Sequence, residues 1–196
     1  MMQRISGKLT DYLLAKNIIM PDDREIYIYG IMALISTVVN FFVILFLGIF
    51  LGLFYETLVY LFGFALLRSY CGGYHARTQI GCVFSSVTMY LFSMAVYHYL
   101  PMEYRRMFSM ILTAACFVFI YAIAPVEHKN RPFEGDEYRK FRMAARIIAL
   151  VYVLIVYSIS IFVYQLIMAA IVLSLVMLSV SIGLALGIVF NERSEY

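Results

Sequence analysis

Apolar runs of membrane-spanning length recur along this chain, and the recurrence leaves it few folds. A helix crossing the hydrocarbon layer needs about 20 mostly apolar residues. Runs at 26–51, 80–100, 107–124, 147–162 and 165–190 answer to that description. A sixth, 53–67, is shorter and follows Gly48 and Gly52; it crosses obliquely or re-enters, and it is counted here as a span. With 64% hydrophobic residues, 14% charged residues and a mean hydropathy of +0.87, the chain lacks the polar surface of a soluble domain. The expected fold is an all-α, polytopic integral membrane bundle of about six transmembrane segments, a single domain over 1–196.

Charge sets the expected orientation, because short cytoplasmic loops carry an excess of Lys and Arg. With six spans and both termini cytoplasmic, only Arg105 and Arg106 of the fifteen Lys and Arg residues fall outside. Removing the short second span would move Arg68 and Arg77 outside and weaken the bias. In the N-terminal segment 1–22, Met1 to Lys16 mix charged and apolar residues without a cleavable signal pattern. Within them Ile5, Leu9, Tyr12, Leu13 and Lys16 approach helical spacing, which predicts an amphipathic helix on the inner leaflet, ended by Pro21 and Asp22. A solvated tail is the competing reading. The long polar connection 125–146 becomes a basic cytoplasmic loop.

One stretch interrupts the apolar pattern with reactive groups: Arg68, Cys71, Gly72, Gly73, His75, Arg77 and Cys82 fall within fifteen residues. Three cysteines, at 71, 82 and 116, do not suggest a disulfide framework. An imidazole that generates a thiolate, with donors for an oxyanion, is the minimum for acyl transfer by a thiol. In one straight helix, residues seven apart share a face but lie roughly 10 Å apart along the axis. His75 therefore reaches Cys82 only if the chain bends, and Gly72, Gly73 and Gly81 offer breaks. The bend would place Cys82 near the first turn of a helix, where the dipole favours a thiolate. Cys71 and His75 would be neighbours on a helix, at a cost of roughly 1 kcal/mol for each interior glycine. Both thiols stay open as nucleophile, and a basic turn with incidental thiols is the competing structural reading. Zinc-type paired spacing is absent, so neither a metal nor a cofactor is expected.

Other polar positions have plainer readings. His98, Arg105 and Arg106 look like outer-interface anchors, and Cys116 like a small filler. His128 is expected as a solvated loop residue, and Asn40, Glu56 and Gln165 as groups satisfying polar needs between spans or at interfaces. Gly183 and Gly187 in the last span permit close helix approach, which makes a homodimer an expected association, with lipid packing as the other explanation.

Taken together, Arg68, Gly73, His75, Ala76, Cys82 and Ser86 resemble the R-x4-G-x-H-A-x5-C-x3-S pattern of the AgrB (accessory gene regulator B) membrane peptidases. Ala124-Pro125, Lys129 and Arg131-Pro132 resemble that family's loop pattern. The resemblance implies a cysteine endopeptidase of the bacterial cytoplasmic membrane, with its active site towards the cytoplasm. Its partner would be an AgrD-like propeptide, matured into a cyclic thiolactone or lactone autoinducing peptide for quorum sensing. Carried over by position, Cys82 is the nucleophile and His75 the general base, with Arg68, Gly73 and Ser86 in support. Lys129, Arg131, Arg139 and Lys140, with Arg142 and Arg146 beyond them, could hold an acidic substrate tail, although positive-inside topology alone explains such a cluster. The acyl-enzyme would need shielding from water, and Tyr70, Tyr74 and Phe84 are the nearest aromatic candidates. No nucleic-acid partner is expected. A noncatalytic membrane transporter or adaptor for a peptide is the alternative reading.

Overall fold

The computed structural model describes residues 2–73, 79–126 and 135–192. These residues form seven α-helices: α1 (Met2–Ala15), α2 (Arg24–Phe50), α3 (Phe54–Cys71), α4 (Gln79–Tyr99), α5 (Arg105–Ile123), α6 (Glu137–Phe162) and α7 (Ile167–Glu192). Three-residue 3-10 turns lead into α2, α5 and α7. Four stretches, Pro21–Phe50, Met102–Ile123, Glu137–Phe162 and Tyr164–Val189, are long and apolar enough to cross a membrane. The two other expected spans are also helices. The run 53–67 is part of the unbroken 18-residue α3, about 27 Å long at 1.5 Å per residue.

Helix ends follow local chemistry. Pro21 opens the turn before α2, and Asp22 and Asp23 sit at the positive end of the helix dipole. At the far end of α2, Gly52 takes φ +70°. The Leu53 N–H then donates to Gly48 O (2.8 Å) and the Gly52 N–H to Ile49 O (3.1 Å), a Schellman closure that satisfies two otherwise orphaned carbonyls. The chain can thus reverse directly into α3.

The first helix packs on α2, and a salt bridge from Arg24 to Asp11 (2.8 Å) ties the pair. Its buried face carries Ser6 and Thr10, while Ile5, Leu9 and Tyr12 point outward. This apolar stripe is the one the spacing of the N-terminal residues suggests. Its contact with α2 uses the small polar face, as helices in lipid commonly do.

The centre of the bundle is α7, which packs against α3, α4, α5 and α6. Of its apolar window, 67% is buried inside the protein, against 11–28% for the other three candidate spans. Ala170, Ser174, Ser179, Ser181 and Gly183 along it are small enough to let neighbouring backbones approach. Hydroxyls link the helices around this core. Tyr60 OH donates to Ser179 Oγ (3.1 Å), Ser179 lies 3.2 Å from Ser93 Oγ, and Tyr152 OH donates to the Gly63 carbonyl (3.0 Å). Thr57 Oγ and Tyr90 OH pair at 2.7 Å, and Gly48 of α2 has Thr57 against its backbone.

One end of the bundle is fastened by Arg105, which is buried. It donates to the carbonyls of Leu100 (3.0 Å) and Tyr97 (3.3 Å) and so closes the α4–α5 turn. Arg106 lies over the Tyr164 ring at 5.1 Å. Both arginines therefore anchor, and Arg105 does so inside the protein. At this end Tyr97 OH also donates to Glu56 (2.9 Å).

Gly48 has no room for a side chain. Gly48→Val is expected to destabilise the detergent-solubilised protein by about 1–3 kcal/mol, read as a lowered thermal midpoint. Tyr90→Phe, which deletes one hydroxyl, is expected to cost only about 0.6–1 kcal/mol.

Candidate functional site

The reactive stretch lies at the end of the bundle opposite Arg105, where α3 stops and α4 begins. Gly72 and Gly73 stop α3 with φ +69° and +113°, backbone that residues with a Cβ rarely adopt. The continuous helix that would make Cys71 and His75 neighbours is therefore absent. Gly81, expected as a further break, lies inside α4. Cys71 and Cys82 end up on different helices, with Cys82 the fourth residue of α4, in its first turn. His75 and Tyr74 lie outside the described residues, as do Lys129, Arg131 and His128.

The three thiols differ in access. Cys71 and Cys116 are buried and Cys82 is half-buried. Cys116 lies on α5 inside the bundle, as befits a filler. Cys71 is tied through its backbone, since its carbonyl accepts the Val126 N–H (3.0 Å). This bond and the Gly72–Val126 bridge pin the root of the α5–α6 connection beside the glycine pair; of the loop expected at 125–146, residues 137–146 are instead the start of α6. Gly72 has the Val126 carbonyl directly against its Cα, so no side chain fits there. The Ala124–Pro125 peptide just before Val126 is cis.

Arg68, one turn before the end of α3, supplies the positive charge. Its guanidinium acts electrostatically on the sulfurs of both Cys82 and Cys71. Its Nη1 is lodged between two glycines: a Cβ on Gly73 would stand 2.5 Å from it, and a Cβ on Gly183 of α7 2.6 Å. Gly183 is thus part of the seat of Arg68. Gly187 is buried as well, so both glycines singled out for contact between copies pack within the chain.

Among the described residues Cys82 has one side-chain partner from another helix. The Asn40 Nδ2 of α2 donates to its Sγ at 3.7 Å, within range for a sulfur acceptor. Ser85, rather than Ser86, contacts the cysteine's backbone, its Oγ donating to the Cys82 carbonyl (3.0 Å). Ser86 is half-buried one turn beyond. Phe84 is exposed and turned away from the protein, so it does not roof the sulfur. Tyr70 packs on Phe141 of α6, with ring centroids 5.8 Å apart.

The basic residues of α6 divide into two sets. Arg146 caps α5: its Nε and Nη2 donate to the Tyr121 carbonyl (3.2 and 2.9 Å) and its guanidinium lies 3.9 Å from the Tyr121 ring centroid. Arg142 stacks over Tyr138 at 6.0 Å. Arg139 and Lys140 are exposed in the first turn of α6.

Asn40 and Gly183 are the members that sequence reading did not assign to this site. A signal existed for Asn40, the one carboxamide in a 27-residue apolar helix. Nothing local pointed from Gly183 to Arg68.

If Arg68 is seated as described, Gly183→Ala should cost about 1–3 kcal/mol in the native background and little after Arg68→Ala. Thermal unfolding of the four-member cycle measures the coupling. Additive losses would contradict the seat.

The family model described as Accessory gene regulator B matches residues 6–182. Two relatives from Clostridium perfringens carry related descriptions. An AgrB-like protein 2 of strain 13 is 26% identical over 72% of this chain and 68% of its own length. An AgrB-like protein of strain SM101 is 25% identical over 83% of this chain and 78% of its own length. No solved structure matches the chain.

Proposed function

The chain belongs to the accessory gene regulator B family, and from that premise we propose that it is a membrane cysteine endopeptidase that cleaves an AgrD-like quorum-sensing propeptide. One observation carries the choice of nucleophile. Cys82 is the half-buried thiol touched by an amide donor, while Cys71 and Cys116 are buried; the charge of Arg68 reaches Cys71 as well and does not choose between them. A thiolate is stabilised by such neighbours and must also be reached by a substrate.

In the proposed reaction His75 takes the Cys82 proton, and the thiolate attacks the carbonyl carbon of the peptide bond before the substrate's C-terminal region. The C–N bond breaks, the departing amine receives the proton, and an acyl-thioester remains on Cys82. A substrate Cys or Ser side chain then attacks the thioester, closing a thiolactone or lactone ring and returning the enzyme thiol. Exchange between thioesters is nearly balanced in energy, so excluding water decides whether a ring or a linear acid forms.

The proposed orientation has six spans, with both termini and the reactive end towards the cytoplasm. Arg68, Arg139, Lys140 and the Val126 root lie at that end, and Arg105 and Arg106 at the other, which agrees with the positive-inside rule. Arg139 and Lys140 are proposed to hold the acidic tail of the propeptide, with Lys129 and Arg131 from the adjoining loop.

Cys82→Ala and His75→Ala are each expected to abolish propeptide cleavage in membranes while the protein still inserts, and Cys71→Ser to leave cleavage within a few-fold of native, about what loss of a buried filler entails. A peptide carrier would keep its function in all three. Mass-spectrometric mapping of a trapped acyl-enzyme to Cys71 would overturn the assignment. Separately, Arg139→Glu with Lys140→Glu is expected to raise KM about ten-fold or more with kcat little changed, as loss of uniform binding requires. Unchanged KM in the correctly inserted protein would dismiss the tail-binding role.

A further inference from the structure

We infer that Asn40 is a third polar member of this site, holding the Cys82 sulfur and favouring its thiolate; the inference rests on the peptidase reading above. The two residues are 42 positions apart and meet because α2 packs on α4, which sets Asn40 Nδ2 3.7 Å from Sγ. An N–H donor binds an anionic sulfur more strongly than a neutral thiol, since the charged form is the better acceptor. The contact therefore acts in the same sense as the Arg68 charge, but with direction: it fixes where the sulfur points. When Cys82 becomes acylated, the sulfur loses its charge and the donor is left beside the newly formed thioester.

A purely structural role fits the contacts poorly. An asparagine that ties helices together in lipid normally satisfies both ends of its amide, because an unmet polar atom there is expensive. Asn40 does not. Among the described residues its buried Oδ1 meets no hydrogen-bond partner, and the contact the amide makes is that of Nδ2 with the Cys82 sulfur. Among the described residues the Ser6 and Thr113 hydroxyls are also buried and unmet, whereas Thr57, Ser93 and Ser179 each have a backbone carbonyl as well as a side chain as partner; Asn40 is set apart by the thiol that its donor end meets.

The test uses the protein in membrane vesicles, with Asn40→Leu (same branching, no donor, somewhat larger) and Asn40→Asp (same shape, a carboxylate facing the sulfur). Iodoacetamide alkylation of Cys82 is followed across pH by mass spectrometry, with Cys71 in the same samples as the burial control. Propeptide cleavage is measured in parallel. Loss of a charge-assisted bond is expected to displace the Cys82 alkylation profile of Asn40→Leu upward by about one pH unit, an approximately ten-fold slower reaction on its rising limb. Asn40→Asp should displace it further. In both variants kcat should fall and KM change little, because the interaction is with the reacting sulfur rather than the bound peptide. A native profile and native kcat in Asn40→Leu would overturn the inference. Should that variant fail to insert, a native profile in Asn40→Asp overturns it equally. Alkylation reads Cys82 directly, so if Cys82→Ala still cleaved propeptide the assignment of Cys82 as nucleophile would fall while the hold of Asn40 on the sulfur was still decided by the profile.

Discussion

Close backbone approach around one helix is the constraint on which the rest of this protein depends. In a bilayer, apolar side chains gain little by turning inward, because lipid tails are as apolar as the core they would join. Association then relies on tight contact and on hydrogen bonds between helices. The small and hydroxyl-bearing residues of α7 provide both, since four other helices lean on it and Tyr60 reaches its Ser179. The same economy shapes α1, which turns Ser6 and Thr10 to α2 and leaves Ile5, Leu9 and Tyr12 outward.

Close approach also builds the reactive end. A guanidinium beside two thiols in an apolar bundle needs a place to sit, and the missing side chains of Gly73 and Gly183 provide it. Positive φ at Gly72 and Gly73 stops α3 and separates the thiols, leaving Cys71 inside and Cys82 half-exposed on the next helix. Backbone pairing of Cys71 and Gly72 with Val126 then brings the root of the basic connection to the same place. The half-buried thiol of Cys82, the charge of Arg68 and the exposed Arg139 and Lys140 thus share one end of the bundle.

Arginines illustrate how position outranks type. Arg105 and Arg146 are both spent on backbone carbonyls, closing the α4–α5 turn and capping α5. Arg139 and Lys140, equally basic in the sequence, stay exposed. Which charges serve the fold follows from which of them meets the carbonyl end of a neighbouring helix.

Much of the architecture was legible from the residues in order. The solvent, the helical class, the segments that became α2 to α7 and the break at Gly72 and Gly73 are local properties, set by runs of apolar residues and by which residues tolerate a given φ. The shorter run at 53–67 showed its limit: α3 continues to Cys71, because a charged residue near a helix end, here Arg68, can be housed by a neighbour that the run itself does not contain. What only the tertiary structure decided is which distant residues share a space. Asn40 with Cys82, Gly183 with Arg68 and Val126 with Cys71 each depend on how far one helix is rotated and raised against another. Those rotations are fixed by the packing of the whole bundle around α7, and no spacing along the chain encodes them.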